Sequence, residues 1–375
     1  MNQPLLVKAL CNPAWLEEAT MAEWDLILRQ ARNADLMARL GVVVRQHGLL
    51  ERIPKAPSLH LEAAQRLSEK QGSVVRYEAA AILQALDEVN QPLILLKGAA
   101  YVVADLPPAR GRIFSDIDII VPKARIDAVE EALQRHEWRS SHLNAYDQRY
   151  YRTWMHEIPP MKHLRRQTVI DVHHTILPET ARLHPDPQKL LAAAVPVAGK
   201  TNIFVLAPTD MVLHSATHLF HDGELEHGLR DLVDLDALLR HFGKDEKFWD
   251  ALIERAVEME LVRPLYYALR YIRATLQTPI PESALKASVA LGRPALIAPL
   301  MDALFERALM PDHPSCEDRF TALARWLLYV RAHYLRMPLH LLLPHLLRKA
   351  LYGRDLLKPA QTQHDKMRQM FLDQK

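Results

Sequence analysis

The sequence predicts a helix-rich α+β fold, and three features of the chain lead to that class. Glycine is scarce and proline plentiful, 11 against 25 among 375 residues, which disfavours tight hairpins and favours helices separated by proline-containing joints. Apolar residues recur at helical spacing in the first 90 residues and again after residue 208. The clearest strand-like runs lie between them, at residues 93–96, 117–121 and 169–172, so we expect a short β-sheet there.

Composition and charge are those of a soluble globular protein. Hydrophobic residues make up 49% of the chain, and the net charge of +2 creates no overall field that would draw it to nucleic acid. The two cysteines, Cys11 and Cys316, provide neither a disulfide framework nor metal-ligand spacing. No apolar run reaches the roughly 18 residues of a membrane span, and residues 1–10 lack a signal-peptide pattern. We therefore expect a cytoplasmic protein without an integral membrane segment.

The N-terminal region, residues 1–90, is predicted to be a helical cap on the strand-bearing middle of the chain. Ser58 is the expected N-cap of a long helix that continues to about Leu86. Pro92 then ends the helical pattern, because the residue before a proline is disfavoured in the helical conformation, and the first strand follows.

Residues 93–121 carry the strongest chemical signal in the sequence. Asp116 and Asp118 run directly into an apolar strand. Because strand side chains alternate between faces, the two carboxylates share one face, about 7 Å apart. They repel each other unless a cation lies between them, and Mg²⁺ or Mn²⁺ would supply that cation with the oxygen ligands it prefers. A solvated strand start without bound metal is the alternative.

Groups that suit a phosphate surround this pair of aspartates. Gly98 follows the first strand and opens a helix, so the backbone can approach a ligand closely and helix-start N–H groups can face an anion. Lys97 adds a point charge, while Arg110 and Arg112 offer fork-shaped donors for phosphate oxygens. A phosphate site beside a divalent metal site is what a nucleoside triphosphate requires.

Lys97-Gly98, followed by Arg112-x-x-Ser115-Asp116-x-Asp118, resembles the DNA polymerase β-type nucleotidyltransferase superfamily, in particular its poorly characterised bacterial branch. The resemblance implies a small mixed β-sheet core flanked by helical N- and C-terminal regions. It also implies transfer of a nucleoside monophosphate from a nucleoside triphosphate (NTP) to an acceptor hydroxyl or similar group, with release of pyrophosphate. The nucleotide-binding residues would be Lys97, Gly98, Arg110, Arg112 and Ser115. Ala99 replaces the serine that commonly follows the glycine.

A second stretch, residues 167–176, is predicted to be a strand with Asp171 and His173 on one face. The resemblance makes Asp171 the third catalytic and metal-binding carboxylate, together with Asp116 and Asp118. The alternative is a structural ion pair between Asp171 and a nearby basic side chain, namely Lys162, Arg165 or Arg166. His173 is either an acceptor contact or a structural histidine.

Three histidines, His214, His218 and His221, are spaced i, i+4 and i+7 on a predicted helix. A His-rich helix after the core also resembles the bacterial branch, where this face would contact the base or the acceptor. Zn²⁺ binding is an alternative. An HD-like metal phosphohydrolase that uses His218, His221 and Asp222 is an alternative function. A catalytically silent nucleotide-binding module is a second alternative.

The predicted domain organisation has four parts. A helical N-terminal region (1–90) precedes a nucleotidyltransferase core (91–200), a helical C-terminal domain (201–357) and a polar tail (358–375). The basic amphipathic segment 320–351 is predicted to be packed helix, with contact to an anionic membrane surface as the alternative. An NTP is the expected substrate, whereas the acceptor stays open among a small molecule, a protein side chain and an RNA end.

Overall fold

The computed structural model describes residues 3–140, 148, 151–152, 154–223 and 225–338. A seven-stranded mixed sheet lies between helices that precede and follow it in the chain. The predicted helix-rich α+β class, with a small mixed sheet and helical regions on either side, is confirmed. The domain boundaries and the polar tail 358–375 stay predictions, and the tail lies outside the described residues.

Four helices form the N-terminal region: α1 (Leu5–Cys11), α2 (Met21–Asn33), α3 (Met37–Gln46) and α4 (Lys55–Asp87). The long predicted helix is present as α4, but it begins at Lys55 rather than after a cap at Ser58. Pro57 is compatible with this earlier start, because N–H groups in a first helical turn have no partner within the helix. Ser58 instead lies inside α4, where its hydroxyl donates to Glu62.

The sheet has the strand order β3-β4-β5-β2-β1-β7-β6. Its strands are β1 (Leu93–Leu95), β2 (Ile117–Ile120), β3 (Trp138–Ser140), β4 (Met161–His163), β5 (Val169–His173), β6 (Val195–Pro196) and β7 (Ile203–Val205). Two pairs are parallel, β2 with β5 and β1 with β7, and the remaining neighbours are antiparallel. The central strands β1, β2 and β5 thereby place the two predicted aspartate stretches side by side.

Two helices follow the central strands, α5 (Lys97–Val103) after β1 and α6 (Ile126–Arg135) after β2. Both pack against α4. The buried side of α6 includes Ile126, Val129 and Leu133, as its apolar spacing predicts. Helix α4 therefore connects the N-terminal helices to the layer that covers the sheet.

The helical C-terminal region follows β7. A short helix, α7 (Pro187–Ala192), lies between β5 and β6. The C-terminal region itself comprises α8 (Pro208–Thr217), a π-helical turn (His218–Asp222), α9 (Gly228–Phe242), α10 (Lys247–Glu258), α11 (Val262–Leu276), α12 (Glu282–Gly292), α13 (Ala298–Ala308) and α14 (Thr321–Arg336). Helix α8 contacts α5 on one side and α9, α10 and α11 on others. One buried apolar core runs from the N-terminal helices through the sheet into these helices.

Helix α14 covers the first half of the predicted basic segment 320–351. Its buried positions, Thr321, Ala324, Leu328 and Ala332, follow helical spacing, and the helix packs against α13. The rest of that segment lies beyond residue 338, outside the described part of the chain. Within the part that is described, no helix combines the length and the apolar character needed to cross a membrane.

Candidate active site

Asp118 and Asp171 lie side by side on neighbouring strands. Strands β2 and β5 are parallel, and their register pairs Asp118 directly with Asp171, so both side chains leave the sheet on the same face. Asp116 precedes β2 by one residue, and its charge, with that of Asp118, acts on the carboxyl of Asp171. The structure therefore brings the three predicted carboxylates into one group.

Asp118 is the member of this group whose charge is compensated. Its Oδ1 accepts hydrogen bonds from Lys97 Nζ at 3.1 Å and from His173 Nε2 at 3.0 Å, and only 6% of the residue is exposed. Burial alone would raise the pKa of this carboxyl, but the charge of Lys97 and the hydrogen bond from His173 hold the pKa well below its usual range. Asp118 is thus a carboxylate at neutral pH.

Asp171, in contrast to Asp118, is surrounded mainly by negative charges. Burial raises the pKa of Asp171, and the charges of Asp118, Glu157 and Asp116 add to the effect, giving a pKa of about 9. Its Oδ1 is buried and makes no hydrogen bond within the described part of the chain. Burial and the charge of Asp118 also raise the pKa of Asp116, which accepts a 2.9 Å hydrogen bond from Ser115 Oγ.

These carboxylates fit a divalent cation of the Mg²⁺ or Mn²⁺ type. Such ions prefer oxygen ligands, and the group offers three carboxylates, one of which has an orphaned buried oxygen. A cation between them would also remove the repulsion that raises the pKa of Asp171.

Gly98 has a packing role that its position in the sequence did not reveal. A Cβ at Gly98 would lie 3.0 Å from the ring of Phe114 and 3.1 Å from Arg112 Nε. The glycine therefore lets the loop between α5 and β2 fold onto the start of α5. Lys97, the first residue of α5, adopts a left-handed conformation with φ of 43° while its side chain contacts Asp118.

Arg112 is buried and forms an ion pair with Asp234 on α9. Arg39, from α3, approaches the other oxygen of Asp234 at 3.7 Å. Burial and the charge of Arg230 lower the pKa of Arg112, whereas the charge of Asp231, also on α9, acts in the opposite direction. Arg112 Nε remains a buried donor without an acceptor among the residues described. The arginine predicted to bind phosphate is thus held mainly by acidic residues of the C-terminal region.

Arg110, two residues earlier, lies at a different place. It is exposed and lines a cavity of about 580 Å³ together with Arg39, Asp236 and Arg240. None of Asp116, Asp118 and Asp171 lines this cavity. Of the five predicted nucleotide-binding residues, Arg110 is the one that the structure places apart from the aspartates.

The three histidines of the predicted stripe lie on two successive helical segments. His214 is buried on α8, and burial, followed by the charges of Lys97, His218 and His173, lowers its pKa well below the usual value, so it is neutral beside the aspartate group. The chain then enters the π-helical turn at His218, and its wider winding changes the direction of His221 relative to a continuous α-helix. The charge of His218 acts on Asp231, and His221 is buried.

Sequence reasoning missed His156 and Glu157. The segment that contains them runs antiparallel to the end of β5: Glu157 forms a bridge with His173, and the N–H of His174 donates to the carbonyl of His156 at 2.9 Å. The charge of Glu157 also raises the pKa of Asp171. No periodic pattern marks this segment, so only its polar His-Glu pair could have drawn attention to it.

A mixed sheet with one Asp-x-Asp strand beside a third aspartate on a parallel neighbour defines a nucleotidyltransferase-type site. Consistent with this class, a family model described as uncharacterised nucleotidyltransferase matches residues 20–277. The chain belongs to that nucleotidyltransferase family, and the predicted resemblance is confirmed. No curated protein and no solved structure matches the chain.

Proposed function

We propose that the protein transfers a nucleoside monophosphate from an NTP to an acceptor hydroxyl or similar group and releases pyrophosphate. The observation that carries this proposal is the register of β2 and β5, which pairs Asp118 with Asp171 beside Asp116. All three residues lie within the span matched by the family model. Family membership favours this activity over an HD-like phosphohydrolase, and the intact carboxylate group favours it over a catalytically silent module.

Asp116, Asp118 and Asp171 would hold Mg²⁺ or Mn²⁺ in this proposal. The uncompensated carboxyl of Asp171 and its orphaned oxygen support that assignment. When bound, the cations neutralise charge on the triphosphate and favour the ionised form of Asp171.

The proposed reaction assigns separate tasks to the carboxylates. The acceptor oxygen attacks the α-phosphorus, the bond between that phosphorus and the bridging oxygen breaks, and pyrophosphate leaves with the bonding electrons. The proton of the acceptor passes to the carboxylate of Asp171, which acts as the general base. Asp118 stays ionised throughout because Lys97 and His173 stabilise its charge.

The nucleotide phosphates would be bound by Lys97, Arg112, the backbone at Gly98, and Ser115. Lys97 and Arg112 both lie near Tyr101: burial raises the pKa of this phenol, and the positive charges of Arg112 and Lys97 oppose that rise. The guanidinium of Arg112 lies 5.9 Å from the centre of the Tyr101 ring. The acceptor-less Nε of Arg112 supports a phosphate contact. Arg110 receives the least support, because it lines a separate cavity.

The histidines would contact the acceptor or the base. His214 has the best support, because the charges of Lys97 and Asp118 both act on it. His173 has less support, because it is buried and its Nε2 already bonds to Asp118. His218 and His221 follow on the π-helical turn. The acceptor class stays open among a small molecule, a protein side chain and an RNA end. A cytoplasmic setting, where NTPs are abundant, fits the proposal.

The test uses NTPs labelled at the α- or the γ-phosphate, offered with members of each acceptor class in the presence of Mg²⁺ or Mn²⁺. Wild type is expected to transfer the α-label and to release pyrophosphate, and Asp118→Asn is expected to do neither. Asp250→Asn, a change at an exposed aspartate on α10, is the matched control. Transfer of the γ-label, or equal activity in Asp118→Asn, would contradict the proposal.

A further inference from the structure

Both ring nitrogens of His173 face carboxylates. Nε2 lies 3.0 Å from Asp118 Oδ1, and Nδ1 lies 3.4 Å from Glu157 Oε2. The ring is 2% exposed, and its Nδ1 makes no hydrogen bond within the described chain. A neutral imidazole has only one N–H. If Nε2 donates its hydrogen to Asp118, the lone pair of Nδ1 faces the lone pairs of Glu157, and a positive charge, either a proton on Nδ1 or a metal ion, is needed between them.

A third ligand-type side chain completes this group. Ring nitrogens of His156 and His173 and a carboxylate oxygen of Glu157 all lie within 4.8 Å of one another. The rings of His156 and His173 stack, with their centroids 5.2 Å apart. Main-chain pairing with β5 holds both His156 and Glu157 in place, so the three side chains are positioned by the sheet itself.

The separation of His173 Nδ1 and Glu157 Oε2 suits a metal ion better than a hydrogen bond. Two ligands bound about 2.0–2.1 Å from a tetrahedral ion lie about 3.4 Å from each other, which equals the separation of His173 Nδ1 and Glu157 Oε2. A charge-assisted hydrogen bond between them would be shorter, about 2.7–2.9 Å. Two imidazoles and one carboxylate also form a donor set that selects Zn²⁺ or a similar transition metal over Mg²⁺.

Asp118 supplies a second, independent indication. A histidine that binds a metal through one nitrogen commonly donates its other N–H to a carboxylate, which fixes the orientation of the ring. His173 has this arrangement, with Asp118 at Nε2 and the His156–Glu157 pair at Nδ1. The two groups therefore lie at opposite edges of one ring.

We propose that His156, Glu157 and His173 bind one transition-metal ion, with Zn²⁺ as the expected occupant. This site is distinct from the oxygen-only group formed by Asp116, Asp118 and Asp171. The ion would act as a positioning element, because it fixes the ring of His173 and thereby the hydrogen bond to Asp118. The proposal depends on no assumption about the reaction, so its test does not require a known acceptor.

Zn²⁺ retention by the full-length protein tests the site. The protein is stripped with a chelator, incubated with Zn²⁺ and passed over a desalting column, and bound zinc is measured by mass spectrometry. Wild type is expected to retain one ion per chain, whereas Glu157→Gln and His156→Gln lose most of it. His184→Gln, at an exposed histidine, and Asp171→Asn are expected to keep the ion.

Two outcomes of the zinc measurement would overturn the proposal. One is a wild-type protein that retains no zinc. The other is retention that survives Glu157→Gln and His156→Gln but is lost in Asp171→Asn, which would assign the ion to the three aspartates. Co²⁺ added to stripped wild type provides a readout that needs no variant. We expect visible absorption from a nitrogen-ligated Co²⁺ site, and absence of that absorption would also contradict the proposal.

Discussion

The aspartates of β2 and β5 and the arginines of the loop before β2 make an instructive contrast. Strand alternation predicts where Asp118 and Asp171 point, and the structure pairs them in register. The arginines were predicted to join them, yet Arg112 pairs with Asp234 on α9 and Arg110 lines a separate cavity. The face of a strand residue is a local property, whereas a long arginine side chain goes to whichever carboxylate the complete fold places within reach.

The two regions also differ in how their charges are balanced. In the arginine loop, Asp234 of α9 pairs with the guanidinium of Arg112, and the charge of Asp231 opposes the lowering of its pKa by burial and by Arg230. Among the aspartates, Lys97 and His173 compensate Asp118, but Asp171 has an orphaned oxygen and a pKa raised to about 9. We interpret the Arg112–Asp234 ion pair as a contact that stabilises the fold, in addition to the phosphate contact proposed for Arg112 Nε. We interpret the strand pair as an element whose charges lower the stability of the fold and serve ligand binding.

Removing Asp234 should produce the largest loss of stability. Asp234→Ala leaves the buried side chains of Arg112 and Arg39 without their shared carboxylate, and breaking a buried ion pair on one side costs about 3–5 kcal/mol. Urea denaturation followed by circular dichroism measures this loss. Asp250→Ala, at an exposed position on the adjacent α10, is the control and should change little. A loss below about 1 kcal/mol in Asp234→Ala would show that the loop does not stabilise the fold.

Lys97→Met should have a smaller effect that depends on pH. Lys97 lowers the pKa of Asp118, so its contribution is complete above the unfolded-state pKa, about 3.9, and is lost as the pH falls through the folded-state pKa. We expect a loss of about 1–3 kcal/mol at pH 7 that shrinks below about pH 4. Denaturation at a series of pH values measures it, with Lys70→Met on the exposed side of α4 as the control. A loss that is independent of pH would contradict the assigned role of Lys97.

Asp171→Asn should act in the opposite direction and stabilise the protein in chelator. The folded-state pKa of Asp171 is raised to about 9, so wild type loses stability through this group as the pH rises from about 4 towards that value. Asparagine does not titrate, and the variant should therefore gain up to about 5 kcal/mol at pH 8, which raises the melting temperature by several degrees or more. The gain should disappear near pH 4. Thermal melts of wild type and variant at pH 4, 6 and 8 measure this gain. If the difference in melting temperature between the two proteins is the same at every pH, the raised pKa assigned to Asp171 is refuted.

The parts of the fold that could be predicted are those governed by local periodicity. The α+β class, the central strands and the apolar side of α6 follow from spacing of two or about 3.6 residues. The start of α4 was placed too late because a first-turn proline resembles a helix break in sequence. The π-helical turn that begins at His218 was not predicted, because nothing in the spacing of His214, His218 and His221 reveals it.

The parts of the site that could not be predicted depend on contacts between distant segments. Gly98 is required by the approach of Arg112 and Phe114, which becomes visible only once the loop is folded. His156 and Glu157 lie in a segment without periodic pattern, and their proximity to Asp171 arises from pairing with the end of β5. Asp234 is far from Arg112 in the chain, so its charge could not be assigned to the loop.

Calorimetric titration tests the central claim most directly. The ligand is an NTP analogue with a methylene group between the α- and β-phosphates, which cannot release pyrophosphate, and each titration is run with Mg²⁺ and with chelator. We predict binding to wild type only with Mg²⁺, because the clustered carboxylates repel a triphosphate in the absence of cations, and we predict that Asp118→Asn loses this metal-dependent binding. Equal affinity in chelator, or unchanged Mg²⁺-dependent binding in Asp118→Asn, would contradict the assignment of Asp116, Asp118 and Asp171 as the metal and nucleotide site.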